Sequence, residues 1–108
     1  MIEIKALTKG YENWGEDIDD FYISYELDIG PSDSKYPSDL FNFDVVSPKR
    51  LNRILEHTQI EIGRGYLIMN DFNTHTVTTT VNRLVNTCRG KDLEQSIQML
   101  SQYFRYSG

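Results

Sequence analysis

The densest group of side chains able to do chemistry lies between residues 16 and 20. It consists of Glu16, Asp17, Asp19 and Asp20. Carboxylate oxygens are the ligands that Ca²⁺ prefers, and an EF-hand loop counted from Asp17 would need an oxygen ligand at its fifth position and a glycine at its sixth. Those positions hold Phe21 and Tyr22. The spacing therefore argues against an EF-hand and leaves only weak, nonspecific binding of divalent cations open.

The other residues with catalytic or ligand chemistry are isolated from one another. His57 and His75 are the two imidazole bases, and neither lies in a recognisable catalytic motif. Cys88 has no second cysteine for a disulfide, and one cysteine with two distant histidines does not have zinc-site spacing. Gly63-Arg64-Gly65 lacks the length and the lysine of a phosphate loop. We therefore expect no enzyme active site, no metal and no cofactor, and a small metal-dependent hydrolase using His57 or His75 is the weakest alternative.

Acidic residues are concentrated in one third of the chain. Ten of the 16 Asp and Glu residues lie between Tyr11 and Asp44, a stretch with Lys35 as its one basic residue, so its net charge is near -9. Residues 45–108 are near +3, which leaves -5 for the whole chain. Nucleic-acid affinity comes mainly from Lys and Arg on phosphate, so this balance argues against direct nucleic-acid binding. A concentrated negative field favours a basic protein partner.

Aromatic side chains stand among these acids. Tyr and Trp are frequent interface anchors because they bury a large area with few rotatable bonds. The predicted partner-binding residues are Tyr11, Trp14, Glu16, Asp17, Asp19, Asp20, Tyr22, Glu26, Asp28, Asp33, Tyr36 and Asp39. We expect Asp17, Asp19 and Asp20 to be exposed, so that their joint replacement would slow association and barely change stability. In the alternative interpretation, Trp14 closes one end of the core and the acids form a solvated face.

The first half of the chain predicts strands. Residues 2–7 alternate apolar and polar side chains, residues 9–19 have loop composition, and residues 21–29 alternate over nine positions. Residues 30–38 form a turn or loop rich in Gly, Pro and Ser. A third strand spans Leu40 to Val46, with Asn42 and Asp44 facing outward.

The second half predicts helices around one more strand. Ser47-Pro48 is an N-terminal signal for the first helix, and Tyr66 to Met69 is a compact apolar run typical of a strand. Two further helices follow from the apolar spacing between Val77 and Cys88 and from Leu93, Ile97, Leu100 and Phe104 after a possible cap at Asp92. A strand in the threonine-rich segment is the local alternative.

The predicted order βββαβαα is typical of an α+β fold. We expect a single domain over residues 1–108, with a mostly antiparallel four-stranded sheet and helices packed on one face. No segment has the pattern of a signal peptide or a membrane span, so we expect a cytoplasmic protein.

Three segments of the chain resemble the immunity protein 8 family of bacterial polymorphic-toxin and contact-dependent-inhibition systems. They are the aromatic strand that runs into a Ser-Pro helix start over residues 41–51, the Gly-Arg pair before the apolar strand over residues 63–69, and Asp71-Phe72. The upstream strand ending at Ile29-Gly30-Pro31 is similar too. The likeness covers most of residues 1–104.

This resemblance implies a non-enzymatic inhibitor that binds a cognate toxin domain in the cytoplasm and covers its substrate-binding or catalytic surface. Many such toxins are nucleases, and a nuclease presents Lys and Arg to phosphate, so an acidic inhibitor fits the same electrostatic site. An acidic adaptor or protein-interaction module with no toxin partner is the alternative.

Overall fold

Three antiparallel strands open the chain in a computed structural model, which describes residues 2–32 and 39–108. They are β1 (Ile2–Trp14), β2 (Phe21–Pro31) and β3 (Asp39–Val46). β2 pairs with β1 on one edge and with β3 on the other. Its alternation of buried and more exposed residues confirms the strand predicted over residues 21–29.

β1 is twice as long as its sequence pattern predicted. The predicted strand ended at Leu7 and residues 9–19 were expected to be a loop, but β1 continues to Trp14. Its register against β2 shifts between Ile4 and Ala6 and again between Lys9 and Glu12. Bulges of this kind place extra residues in one strand without ending the pairing. The loop prediction was therefore wrong for residues 9–14, and the turn that joins β1 to β2 covers residues 15–20.

The first helix, α1 (Pro48–Thr58), begins where the Ser-Pro signal predicted. Ser47 is its N-cap, and the Ser47 hydroxyl accepts a hydrogen bond from the Arg50 backbone N–H at 3.0 Å. β4 (Tyr66–Ile68) follows and pairs in parallel with Asp44–Val46 of β3. The sheet is therefore mixed, with antiparallel pairing in its other ladders.

The last part of the chain contains α2 (Thr74–Thr87), α3 (Leu93–Leu100) and a short strand, β5 (Arg105–Tyr106). The threonine-rich segment is helical, so the alternative strand there was wrong. Asp92 caps α3 as predicted, accepting from the Gln95 N–H at 2.8 Å. β5 was not predicted and pairs with Phe41–Asn42 of β3. The order βββαβαα is confirmed, followed by this additional strand, and the fold is α+β.

The two faces of the sheet differ in character. The inner face, built from alternate residues such as Ile23, Leu27 and Phe43, packs against buried residues of α2 and α3 and forms the core cluster. The outer face carries the polar residues between them, including Ser24, Glu26, Asp28, Asn42 and Asp44. α1 lies at the end of the sheet where β2 begins, since Ser47 N–H donates to the Phe21 carbonyl at 3.2 Å. In the described ranges, no helix is long and apolar enough to cross a membrane.

Candidate protein-interaction surface

The turn over residues 15–20, called the acidic turn below, has a fixed backbone. Gly15 N–H donates to the Asp20 carbonyl at 2.7 Å, and Asp20 N–H donates to the Asp17 carbonyl at 3.1 Å. A Cβ atom at position 15 would collide with the Asp20 carboxylate, so glycine is the residue that fits there. Ile18, at the tip, is 84% exposed. The turn therefore presents an apolar side chain flanked by acids on a well-defined scaffold.

Three of the four acids in this turn are exposed: Glu16, Asp17 and Asp19. Lys49 of α1 lies beside two of them, with its Nζ 2.6 Å from Asp17 Oδ2 and 3.5 Å from Asp19 Oδ1. The hydrogen bond with Asp17 is the main cause that raises the pKa of Lys49. Exposed ion pairs of this type contribute little to stability. The expected exposure of Asp17 and Asp19 is confirmed.

Asp20 differs from its neighbours because it is buried, with 4% of its surface exposed. Arg50 Nε donates to Asp20 Oδ1, and Arg53 Nη1 donates to Asp20 Oδ2. Burial alone would oppose ionisation, but the hydrogen bonds from the two arginines outweigh it and hold the pKa of Asp20 below its ordinary value. The expectation of an exposed Asp20 was wrong, because arginines 30 and 33 residues later in the chain fold onto it.

The Ser47 hydroxyl joins the acidic turn to α1. It accepts from the Phe21 backbone N–H at 3.2 Å while it caps the helix. Together with the Asp20 ion pairs, this contact fixes the turn against the first turn of α1. The acids are therefore held in place before any partner arrives, which lowers the entropy cost of binding.

Tyr11 and Trp14, two of the predicted aromatic anchors, do not lie in one patch. Tyr11 is 60% exposed and meets Tyr22 edge to face, with ring centroids 6.4 Å apart. Trp14 packs on Phe21 and Phe72, with centroid distances of 5.2 and 6.0 Å. Phe21 belongs to the core, so Trp14 closes one end of it, as in the alternative interpretation, although part of its ring remains exposed.

The remaining predicted residues are dispersed. Glu26 is exposed on the outer face, and Asp28, also on that face, is half-buried with its Oδ1 lacking a hydrogen-bond partner in the part of the chain that the structure describes. Asp39 accepts a hydrogen bond from the Tyr106 hydroxyl at 2.8 Å, away from the acidic turn, and this bond raises the pKa of Tyr106. Asp33 and Tyr36 lie outside the described residues.

Asp44 is a second buried carboxylate whose burial the sequence did not predict. It lies on the outer face, as predicted, but it is only 6% exposed. It accepts from Arg105 Nη1 at 2.8 Å and from the Ser24 hydroxyl at 3.0 Å. Burial, followed by the hydrogen bond with Asp44, raises the pKa of Tyr22. Strand alternation indicates which face Asp44 occupies, but it contains no signal for an arginine 61 residues away.

The Asp44 network continues to β4. The Arg105 guanidinium lies 5.3 Å from the centre of the Tyr66 ring, and the Tyr66 hydroxyl donates to Glu61 Oε1 at 2.7 Å. Burial and this hydrogen bond raise the pKa of Tyr66 to about 12. These contacts join β3, β4 and β5 on the outer face. Their geometry is that of a structural network, because Asp44, Arg105 and Tyr66 each contact side chains of other elements or loops.

Among residues 2–32 and 39–108, no group of three or more His, Cys, Asp or Glu side chains is placed to hold a metal ion. Cys88 is buried in the core, and this burial raises the pKa of its thiol. The exposed carboxylates Glu16, Asp17 and Asp19 form a charged surface on the acidic turn.

Comparison with known proteins identifies one family. A family model described as immunity protein 8 matches residues 2–108. Searches of curated proteins and of solved structures gave no match.

Proposed function

The chain belongs to the immunity protein 8 family, and from this premise we propose that the toxin it neutralises is a basic nuclease delivered by contact-dependent inhibition. The resemblance predicted from the sequence is confirmed, and membership makes the chain an immunity protein whose partner is a cognate toxin. The nuclease activity of that toxin, its occlusion by the acidic turn and the encounter in the cytoplasm are the proposal.

The observation that carries this proposal is the exposed, fixed group of Glu16, Asp17 and Asp19. A nuclease presents Lys and Arg along its substrate groove because phosphate neutralisation supplies most nucleic-acid affinity. Carboxylates on a rigid turn can occupy those cationic positions and exclude the substrate. Glu16 has no ion-pair partner among the described residues. The single positive charge of Lys49 is shared between Asp17 and Asp19.

Charge also favours rapid association. The chain carries a net charge of -5, and the acids are concentrated towards its first half. A complementary field steers two proteins together and raises the association rate by about tenfold or more at low salt. Ile18 at the tip of the turn then supplies apolar area at the centre of the contact.

The test uses the toxin domain encoded beside this chain. Calorimetry should show binding, and equimolar protein should abolish cleavage of DNA or RNA by that domain. The double variant D17N/D19N should associate roughly tenfold more slowly at low salt and show a weaker salt dependence. The matched control D71N/E94Q removes two exposed acids elsewhere, and we expect it to associate like the unmodified protein.

The outcomes separate the parts of the proposal. No binding at micromolar concentrations would overturn the pairing with that toxin. Binding to a toxin that cleaves neither DNA nor RNA would overturn the nuclease assignment alone. Equal association rates for D17N/D19N and its control would place the interface away from the acidic turn. We expect the isolated protein to be inert in activity screens, since its role is inhibition.

A further inference from the structure

A small cleft next to the acidic turn is lined by hydrogen-bond donors. Arg50, Arg53, Ile54 and His57 recur at intervals of three and four residues, so they lie on one face of α1. Asn13 of β1 completes the lining, and the cleft has a volume of about 150 Å³. Apart from Ile54, its lining side chains carry N–H groups.

The cleft has one positive charge left over. Asp20 is a single carboxylate that faces two guanidinium groups, so the trio carries a net charge of +1. The Arg53 side chain is 54% exposed and uses one nitrogen, Nη1, for Asp20. Its Nε and its second terminal nitrogen donate no hydrogen bond within the part of the chain that the structure describes. A guanidinium anchored at one corner in this way is oriented for a further acceptor.

The chemistry of the cleft fits a carboxylate. The planar donors of arginine match the two oxygens of a carboxylate, and an arginine already held by an ion pair loses little freedom when it binds one. A nucleic acid is a poor fit, because the exposed Asp17 and Asp19 on the adjoining turn would repel its phosphates. An acidic side chain of a protein brings a single negative charge to the cleft, so Asp17 and Asp19 repel it less than they repel a run of phosphates.

We propose that this cleft binds an aspartate or glutamate side chain of the toxin, an inference that rests on the proposed placement of the toxin against the acidic turn. The interface then alternates in charge, with acids of the turn contacting toxin cations and the cleft receiving a toxin anion. Alternation of this kind fixes the register of two surfaces and penalises partners that lack the matching charge. Arg53 is in this way a specificity-determining residue.

The first experiment measures binding of the toxin domain by Arg53→Gln. Arg50 still pairs with Asp20 in this variant, and Arg53 is half exposed, so the fold should survive; thermal unfolding checks this. We expect a roughly tenfold weaker complex, mainly through faster dissociation. Arg83→Gln removes an exposed arginine of α2 and is the matched control, with affinity expected to stay within about twofold. Equal affinities for the two variants would overturn the inference.

A charge swap identifies the toxin residue. Arg53→Glu should bind more weakly than Arg53→Gln, and one toxin variant with an acid changed to lysine should restore its binding. Failure of every such toxin variant to restore binding would overturn the assignment of a toxin carboxylate to the cleft. Binding of an oligonucleotide to the free protein through Arg53 would overturn it too. If D17N/D19N weakens binding and Arg53→Gln does not, the proposed function stands and this inference falls. No binding by the unmodified protein overturns both.

Discussion

The two faces of the sheet bury their side chains by different means. On the inner face, Phe41, Phe43 and Leu27 are fully buried against α2 and α3. Asp44 on the outer face is buried as well, and so is Asp20 in the acidic turn, but each depends on arginine partners from distant parts of the chain. Apolar burial is non-directional, whereas a buried carboxylate is tolerated only when its partners have good geometry. The inner face therefore supplies stability, and the buried ion pairs of Asp44 and Asp20 fix how distant segments of the chain meet.

Phe43→Ala tests the inner face and should have the largest effect. The Phe43 ring is fully buried, stacks on Tyr25 with centroids 5.1 Å apart, and lies 5.2 Å from the Phe104 centroid. We expect a loss of about 3–5 kcal/mol in the free energy of unfolding, measured by urea denaturation. Asn42→Ala, one residue earlier on the outer face, should lose about 1 kcal/mol. Equal losses would remove the distinction between the faces.

Asp20→Asn should have the next largest effect. The substitution keeps the shape of the side chain but leaves Arg50, which is also buried, without its counter-charge. We expect a loss of about 3 kcal/mol in the same denaturation experiment. Asp19→Asn, in the same turn but exposed, should change the free energy of unfolding by less than about 0.5 kcal/mol. Similar losses for the two variants would mean that the buried ion pairs of Asp20 stabilise the fold no more than the exposed ion pair of Asp19 does.

The pH dependence of stability sharpens this test. The pKa of Asp20 is lower in the folded chain than in the unfolded chain, so its contribution is present above the ordinary Asp value of about 4. That contribution is lost as the pH falls through the lowered folded value. The unmodified protein should therefore lose more stability between neutral pH and about pH 3 than Asp20→Asn does. Parallel curves for the two proteins would contradict the assignment.

Asp44→Asn should have a smaller effect on the outer face. Asparagine can still accept one hydrogen bond from Ser24 or Arg105, and the Arg105 side chain is partly exposed, so water compensates for some of the lost charge. We expect a loss of about 1–2 kcal/mol. Glu26→Gln on the neighbouring strand is the control, since Glu26 is exposed. A loss as large as that of Phe43→Ala would place the main stabilising contacts on the outer face.

Lys49→Gln should have the smallest effect on stability, with no resolvable change in urea denaturation, because its pairs with Asp17 and Asp19 are exposed. The substitution removes a positive charge beside the acidic turn, so association with the toxin should become faster at low salt. Stopped-flow mixing at two salt concentrations measures this. Slower association would show that Lys49 itself contacts the partner.

The inner face was predictable because its signal is local. Nine alternating residues define β2, the Ser47-Pro48 pair marks the start of α1, and the apolar spacing from Val77 identifies α2 despite its threonines. Each of these signals is contained in a short window. The predicted strands, helices and their order follow from them.

The missed features depend on distant residues. β1 reaches Trp14 because bulges and pairing with β2 override its loop composition, and β5 is too short to show a pattern of its own. Asp20 and Asp44 have the sequence context of solvated acids, and arginines far along the chain bury them. In the candidate site, the exposure of Asp17 and Asp19 was correctly predicted. Tyr11 and Trp14 are three residues apart in β1, so alternation places them on opposite faces, and the predicted loop over residues 9–19 concealed this.

The position of β3 has a consequence for the rates at which the backbone opens. β2 borders one edge of β3, while β4 and β5 share the other edge, and Ser107 N–H also donates to the Leu40 carbonyl at 2.7 Å. β1, in contrast, is bonded within the sheet only to β2 among the described strands. Amide hydrogens of β3 should therefore exchange with solvent last among the strands, and those along β1 should exchange earlier. If the toxin binds at the acidic turn, exchange should slow there and leave the β3 amides unchanged, so the β3 amides are the internal reference for that comparison.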